Sequence, residues 1–182
     1  MRVFGIDPGS TRTGYGCVDT DGRRHRLVLC GAIRTSALDT FPQRLADIYR
    51  ELADAIVRSQ PECVAVENLF HANNVRSALK LGHARGVAML AAVQAGLPVV
   101  EYTPAEVKRA VVGYGRAEKH QVQQMVKLLL GLQQPPTPHD VADALAVAIC
   151  HLQSSTGAIP ERLRANDIKP HSTLRSWRDY RP

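Results

Sequence analysis

The sequence predicts an α/β domain in which a mixed five-stranded sheet carries helices on both faces. Its first three β-prone segments are joined by turn signals, so strands 1–3 should form an antiparallel meander. After them, helix-periodic segments alternate with short apolar strands, which favours parallel additions to the sheet. The chain has 182 residues, of which 45% are hydrophobic. That length suits one domain with a buried core and is short for two.

The opening strands are marked by their residues and by the turns between them. Residues 2–6 are apolar and β-prone, and Asp7-Pro8-Gly9-Ser10 is a turn signal. Residues 14–19 form a second strand, and residues 26–34 form a third. Asp21-Gly22 between them is a strong hairpin signal.

The rest of the chain alternates between helices and strands and ends in three helices. A helical repeat of leucine and isoleucine predicts a helix over 42–58, with Pro42 in its first turn. Thr103 is the expected N-cap of a later helix, with Pro104 after it and Glu106 completing a capping box. The other predicted elements are strand 63–67, a helix from Asn73 or Asn74 to about Ala95, strand 98–101, a helix over 117–130 and a last helix from His139 to about Leu152.

Residues 156–182 show no sustained periodicity. They hold six Arg or Lys residues against three Asp or Glu. We expect one folded domain over residues 1–155 followed by a basic, mostly disordered tail over 156–182.

Composition limits the class of protein. Lys and Arg number 23 and Asp and Glu 17, a net charge of +6, so an anionic partner such as nucleic acid is plausible. The apolar stretches are too short for a transmembrane helix, and the N-terminus has no long apolar run typical of a signal peptide. The four cysteines are widely spaced and form no CxxC pair, which argues against a disulfide framework or a zinc site. We therefore expect a cytoplasmic protein.

Four acidic residues stand where solvated acids are uncommon. Asp7 and Glu67 each end an apolar strand. Asp140 and Asp143 lie three residues apart on one face of the last helix, which is otherwise small and apolar. No Arg or Lys lies within a helical turn of either, which excludes an ion pair inside that helix.

Each acid taken alone also has an ordinary interpretation, as a turn former, a strand-end polar residue or an acid favoured by a helix dipole. Asp143 fits these least, because it lies deeper in the apolar helix. Together the four form a carboxylate cluster suited to Mg²⁺ or Mn²⁺. Carboxylates brought together repel unless a cation compensates, and two such ions can clamp a phosphodiester.

Four long stretches of the chain resemble the RuvC family of bacterial Holliday junction resolvases, which are ribonuclease H-like nucleases. The resemblance covers residues 1 to about 155 and leaves the tail outside. The stretches are GIDPGSTRTGYG (5–16), VAVENLFHANNVRSALKLGHARGVAM (64–89), EYTPAEVKRAVVGYGRAEKHQV (101–122) and HDVADALAVAICH (139–151).

This resemblance implies a ribonuclease H-like fold and a site in which Asp7, Glu67, Asp140 and Asp143 hold two Mg²⁺ ions per subunit, with Mn²⁺ as a substitute. It implies a homodimer that resolves four-way DNA junctions in recombination and repair. The expected reaction is a pair of symmetric nicks with 5′-phosphate and 3′-hydroxyl ends. The RuvA–RuvB branch-migration complex is the expected protein partner. Some members carry His at the position of Asp140; here His139 precedes it, and its role stays open.

Several further residues are candidates for DNA contact. Phe70 follows Glu67, and the resemblance favours a wedge that stacks on an unpaired base over a packing role at the helix start. Two glycines in the long helix suggest close backbone approach, within the subunit or between dimer mates. Lys108 and Lys119 match family positions near the scissile DNA. The candidate phosphate contacts are Arg76, Lys80, Lys108, Arg116 and Lys119, for each of which a solvated surface charge is the alternative.

Three other functions remain open at this point. An actin-like or sugar-kinase-like ATPase would explain the loop after Asp7, but such proteins need two domains and a second phosphate hairpin. A junction-binding protein without activity would not need all four acids. A ribonuclease H-like nuclease of the YqgF group, acting on RNA, is the third.

Overall fold

The computed structural model describes residues 1–68 and 74–155. The sequence-predicted tail and Phe70 therefore lie outside the described residues. The elements within these ranges are β1 (Arg2–Asp7), β2 (Arg12–Thr20), β3 (His25–Arg34), α1 (Phe41–Ser59), β4 (Cys63–Glu67), α2 (Val75–Gln94), β5 (Val99–Tyr102), α3 (Pro104–Val112), α4 (Lys119–Leu130) and α5 (His139–Ser155).

The strands form one sheet in the order β3-β2-β1-β4-β5. Strands β1, β2 and β3 pair antiparallel, whereas β4 pairs parallel with β1 and with β5. The predicted mixed sheet with its three-stranded meander is confirmed. The parallel pairs place the carboxyl ends of β1 and β4 side by side at one edge of the sheet.

Element boundaries agree with the sequence to within a few residues. The capping box at Thr103 is present, with the Glu106 amide donating to the Thr103 hydroxyl over 3.3 Å and the Thr103 amide donating to the Glu106 carboxylate over 2.7 Å. Helix α4 begins at Lys119, two residues later than predicted, because Glu118 caps it in a box with Gln121. Strand β2 begins at Arg12, two residues earlier than predicted.

Alternate residues of each central strand face opposite cores, as the two-residue period of a strand requires. On one face, Val3, Cys63 and Ala65 pack against α3, α4 and α5. On the other, Phe4 and Val64 pack against α1 and α2. Asp7 and Glu67 continue the first of these rows, so both carboxylates emerge on the face that α5 covers.

Helix α5 lies directly on the sheet because two strand residues beneath it are glycines. A Cβ added to Gly5 would fall far inside van der Waals contact of the Ala144 carbonyl, and one added to Gly14 would do the same at the Asp140 carbonyl. Isolated glycines in strands often mark such close backbone approach. The start of α5, which carries two of the four acids, is thus seated against β1 and β2.

No helix of the described residues has the length and apolar character needed to span a membrane.

Candidate active site

Asp7 and Glu67 end adjacent parallel strands, and their side chains meet. The register pairs Ile6 with Val66, so the next residue of each strand falls on the same row and the same face. The two carboxyl groups are therefore neighbours, close enough for the charge of Glu67 to raise the pKa of Asp7.

The surroundings of Asp7 disfavour its ionised form. Burial raises its pKa well above the ordinary value, and the nearby charges of Glu67, Asp143 and Asp140 raise it further. Burial also raises the pKa of Glu67, while its hydrogen bond with Asp7 opposes that rise. Two neighbouring carboxyls that both resist ionisation are favoured in their charged form when a further positive charge is placed beside them.

Helix α5 brings the other two acids to this pair from above. Burial raises the pKa of Asp143, and the charge of Asp140 raises it too, while Lys119, His139 and Lys108 act in the opposite direction. Asp7 is thus within electrostatic reach of the other three acids. The four acids are partly buried and offer oxygen atoms, a donor set that fits hard divalent cations.

Asp140 differs from the other three acids in having a cationic partner. Arg12 Nη1 lies 3.1 Å from Asp140 Oδ2. The sequence excluded only an ion pair inside α5. This contact comes from β2, because Arg12 lies 128 residues away from Asp140 in the chain.

The four acids are neighbours, but their side chains do not converge on one point. Within residues 1–68 and 74–155, no three His, Cys, Asp or Glu side chains converge as the ligands of one metal ion would. One carboxylate oxygen of Asp140 is engaged by Arg12.

Comparison with known proteins identifies the group to which this arrangement belongs. The sequence pattern of the family described as "Crossover junction endodeoxyribonuclease RuvC" matches residues 3–151. The chain belongs to the RuvC family. That match spans both acidic strand ends and most of α5, so the fold and the family expected from the sequence are confirmed.

Individual RuvC relatives are similar in sequence to this chain over most of their length. The RuvC of Koribacter versatilis is 57% identical over 156 residues, which are 85% of this chain and 94% of that protein. The RuvC of Desulforamulus reducens is 52% identical over 156 residues, 86% of this chain and 96% of the relative. Both are named crossover junction endodeoxyribonucleases.

Solved RuvC structures share the fold. Thermus thermophilus RuvC superimposes with a TM-score of 0.79 at 38% identity, covering 86% of this chain and 97% of that one. The same protein in complex with a Holliday junction substrate gives a TM-score of 0.80 at 36% identity, covering 87% and 97%. This chain is therefore a RuvC-type nuclease, and the ATPase and RNA-processing alternatives are set aside.

Two of the predicted DNA contacts lie near the acids in this RuvC chain. The charges of Lys119 and Lys108 lower the pKa of both Glu67 and Asp143, which places these lysines within electrostatic reach of the carboxylates. A phosphate bound beside the acids would be within reach of the same cations. This proximity supports the two lysines that the resemblance favoured.

For the other predicted DNA contacts in the described part of the chain, no electrostatic effect on the four acids is found. Lys80 Nζ lies 5.8 Å from the ring centroid of Phe41 at the start of α1, a cation–π contact. Arg76 and Arg116 are exposed, and Phe70 lies outside the described residues. These four stay predictions.

Sequence reasoning missed Arg12 and Gly14 as parts of the site. Gly14 stands within a family motif, and a lone glycine in a β-prone segment is also a signal for close backbone approach. Arg12 lies in the same motif, but nothing local shows its partner, because that partner is supplied by a helix distant in the chain.

A cavity of about 850 Å³ lies at the opposite end of the sheet. Met1, Cys63 and Leu152 line it, at the starts of β1 and β4 and near the end of α5, and Tyr102 of β5 adds part of the wall. It contains none of the four acids, so its size does not make it the catalytic site.

Proposed function

We propose that this chain resolves four-way DNA junctions at a metal site formed by Asp7, Glu67, Asp140 and Asp143. The observation that carries the proposal is the placement of the four acids: Asp7 and Glu67 end adjacent parallel strands, and α5, in backbone contact with Gly5 and Gly14, brings Asp140 and Asp143 to the same edge of the sheet. Such a cluster of carboxylates becomes favourable when a divalent cation compensates its charge.

The proposed cofactor is Mg²⁺, with two ions per subunit. When bound, such ions supply Lewis-acid stabilisation of the charge that develops on the phosphate. In their ionised form the four carboxylates would hold the ions, Asp7 and Glu67 from the strand ends and Asp140 and Asp143 from α5, and any proton on Asp7 would pass to solvent water when the metal binds. Lys108 and Lys119 contribute positive charge that holds the phosphate beside the acids.

The proposed products are symmetric nicks in two opposed strands, with 5′-phosphate and 3′-hydroxyl ends. Paired cuts need two active sites, and we propose a homodimer to provide them. Helix α2 supports this: Val75, Leu79, Leu90 and Val93 are exposed, and the space in front of Gly82 and Gly86 is open. These six residues recur every three or four positions, so they form one apolar face opposite the buried one.

Phe70 is the proposed wedge that stacks on an unpaired base beside the cleavage point. We also propose the RuvA–RuvB complex as partner, a cytoplasmic location, and a domain that ends near residue 155 before a basic tail.

Cleavage of a synthetic four-way junction tests the function directly. Asp143→Asn keeps the size of the side chain and removes the charge, so we expect cleavage in Mg²⁺ to fall at least about 10³-fold while junction affinity, measured in EDTA, stays near wild type. Gel analysis of labelled strands measures the first, and fluorescence anisotropy the second.

The exposed Asp54→Asn in α1 is the matched control and should cleave normally. A linear duplex should remain uncut by all three proteins. Full Mg²⁺-dependent cleavage by Asp143→Asn would refute the metal-ligand role.

A further inference from the structure

Arg12 is a cation in contact with the acidic site that the sequence motifs do not explain. The geometry points to an exchange of partners: Arg12 neutralises Asp140 in the free enzyme and moves to a DNA phosphate when a junction binds. Asp140 is thereby released for the metal, so metal binding and DNA binding are coupled. This inference rests on the metal site proposed above.

The backbone around this ion pair is firmly held. The Thr13 side chain is fully buried; it accepts a hydrogen bond from the Gly9 amide over 3.2 Å and donates one to the Gly9 carbonyl over 2.8 Å. Gly14 lets the Asp140 backbone rest directly on β2. Since the main chains cannot separate, the exchange is a movement of the Arg12 side chain alone.

The contact with Asp140 is one that Arg12 can leave. The Arg12 side chain is 42% exposed and that of Asp140 29%, and ion pairs exposed to this extent contribute little stability. In addition, Arg34 is the cross-strand partner of Arg12. Like charges directly opposite each other on one face repel.

A phosphate is the anion that this pair of arginines fits. Placed between the two guanidinium groups, it would accept hydrogen bonds from both and remove their mutual repulsion. Arg34 is exposed and takes part in no ion pair described for residues 1–68 and 74–155. The two arginines thus offer a phosphate contact at the rim of the acidic site.

The ion pair between Arg12 and Asp140 lowers the affinity of the proposed site for a metal ion. While Arg12 holds Asp140, it occupies a carboxylate oxygen and repels a divalent cation nearby. When a phosphate takes Arg12, that competition ends and the metal affinity rises. By thermodynamic linkage, the metal must then raise junction affinity by the same factor.

Titration of the full-length chain with Mn²⁺ alone, followed by electron paramagnetic resonance, tests the competition without DNA or cleavage. We expect Arg12→Gln to bind Mn²⁺ about fivefold more tightly than wild type, at the lower end of typical coupling factors. Arg12→Lys keeps the charge and should stay near wild type. Arg34→Gln removes an equal charge without touching Asp140 and should change the affinity less than Arg12→Gln does.

An unchanged Mn²⁺ affinity in Arg12→Gln overturns the inference. The same titration of Asp143→Asn separates this failure from that of the metal site. If Asp143→Asn binds Mn²⁺ as wild type does, the proposed site itself is wrong. If it loses Mn²⁺ while Arg12→Gln is unchanged, only the role of Arg12 is wrong.

Junction binding in EDTA tests the exchange itself through a double-mutant cycle. Asp140→Asn frees Arg12 for phosphate, so we expect it to bind a four-way junction more tightly than wild type. In the Arg12→Gln background the same substitution should give a smaller gain. An equal or larger gain there would mean that Arg12 does not move to DNA.

Discussion

The environment of Asp7 opposes the negative charge that the proposed chemistry requires. Burial and the neighbouring carboxylates raise its pKa, so the carboxyl group tends to keep its proton when no cation is present. Metal binding must displace that proton, because a carboxylate ligand has to be ionised. The fold therefore carries an electrostatic cost at Asp7 that a bound cation removes.

We expect Asp7→Asn to stabilise the metal-free protein. The folded pKa of Asp7 is raised, so the folded state holds more protons than the unfolded state between the two pKa values, and the free energy of unfolding falls as pH rises through that window. Above the window the substitution should raise the free energy of unfolding. Thermal unfolding in EDTA at several pH values measures this.

The advantage of Asp7→Asn should shrink as pH falls toward the ordinary pKa of aspartate, where the wild-type residue is protonated as well. Asp54→Asn serves as the exposed control and should show no such pH dependence. An Asp7→Asn protein that is less stable than wild type in neutral EDTA would contradict the raised pKa. Cleavage by this variant should be abolished, which would make the substitution stabilising and inactivating at once.

Residue types and spacing singled out the four acids as candidates, since each ends an apolar strand or interrupts an apolar helix. The structure brings them to one edge of the sheet, and their role as metal ligands stays a prediction. Residue types and spacing were not enough to find Arg12, whose role depends on a helix placed over β2 by the tertiary fold. They also could not show that Asp7 and Glu67 lie side by side, because that depends on strand register.

At the scale of elements, the position of helix α5 decides how far two of the acids lie from the other two. Gly5 and Gly14 allow backbone contact between this helix and the sheet. A side chain at either position would have to push the helix away, because the atoms it meets belong to the backbone and cannot rotate aside.

Gly14→Ala should therefore lower both the cleavage rate and the stability. The loss of cleavage should be larger than the loss of folded protein can account for. A displacement of Asp140 by about 1 Å is expected to lower the rate about 10²-fold, and the crowding to cost about 1–3 kcal/mol of stability. Cleavage rates at saturating enzyme and denaturant unfolding measure the two effects.

Gly31→Ala is the matched control for this prediction. It also lies in a strand, but an added Cβ there meets the Tyr15 ring and hydroxyl, which belong to a side chain. It should cleave within a few-fold of wild type. Equal loss of cleavage in both variants would mean that α5 seating is not the cause.

Helix α2 supplies the prediction for the dimer. Gly86 has open space in front of it and sits inside a helix, where alanine is more favourable by about 1 kcal/mol. We expect Gly86→Ala to stabilise the isolated subunit and weaken the dimer, because the methyl group keeps the mate at a distance. Analytical ultracentrifugation and unfolding at low protein concentration measure both, and a dimer of unchanged affinity would place the interface elsewhere.

Element order and type were predictable because the strands and helices carry strong periodic patterns and clear caps. Boundaries shifted where a cap was overlooked, as at Glu118. The sheet order was expected only as a class, since no single strand records which neighbour it will pair with.

For the whole molecule, the distribution of charge matters more than the net value of +6. The four acids concentrate negative charge at one edge of the sheet, with Lys108 and Lys119 within electrostatic reach. The tail from residue 156 contributes six basic and three acidic residues, half of the net positive charge.

Removal of residues 156–182 should therefore weaken junction binding in a salt-dependent way. For every phosphate that the tail neutralises, its removal should reduce the slope of log affinity against log salt concentration by about 0.9. Anisotropy titrations of the full chain and of residues 1–155 across a range of salt concentrations would show the difference. Identical slopes would mean that the tail binds no phosphate.

Asp7 and Glu67 lie in rows of alternate strand residues, so the site depends on the number of residues in β1 and β4. An in-frame insertion or deletion of one codon inside β1 or β4 would turn the terminal carboxylate to the opposite face of the sheet, since strand side chains alternate. The acid would then face α1 and α2, in the wrong core. Changes of length are consequently tolerable in the surface turns, such as the one at Asp21-Gly22, and not within these two short strands.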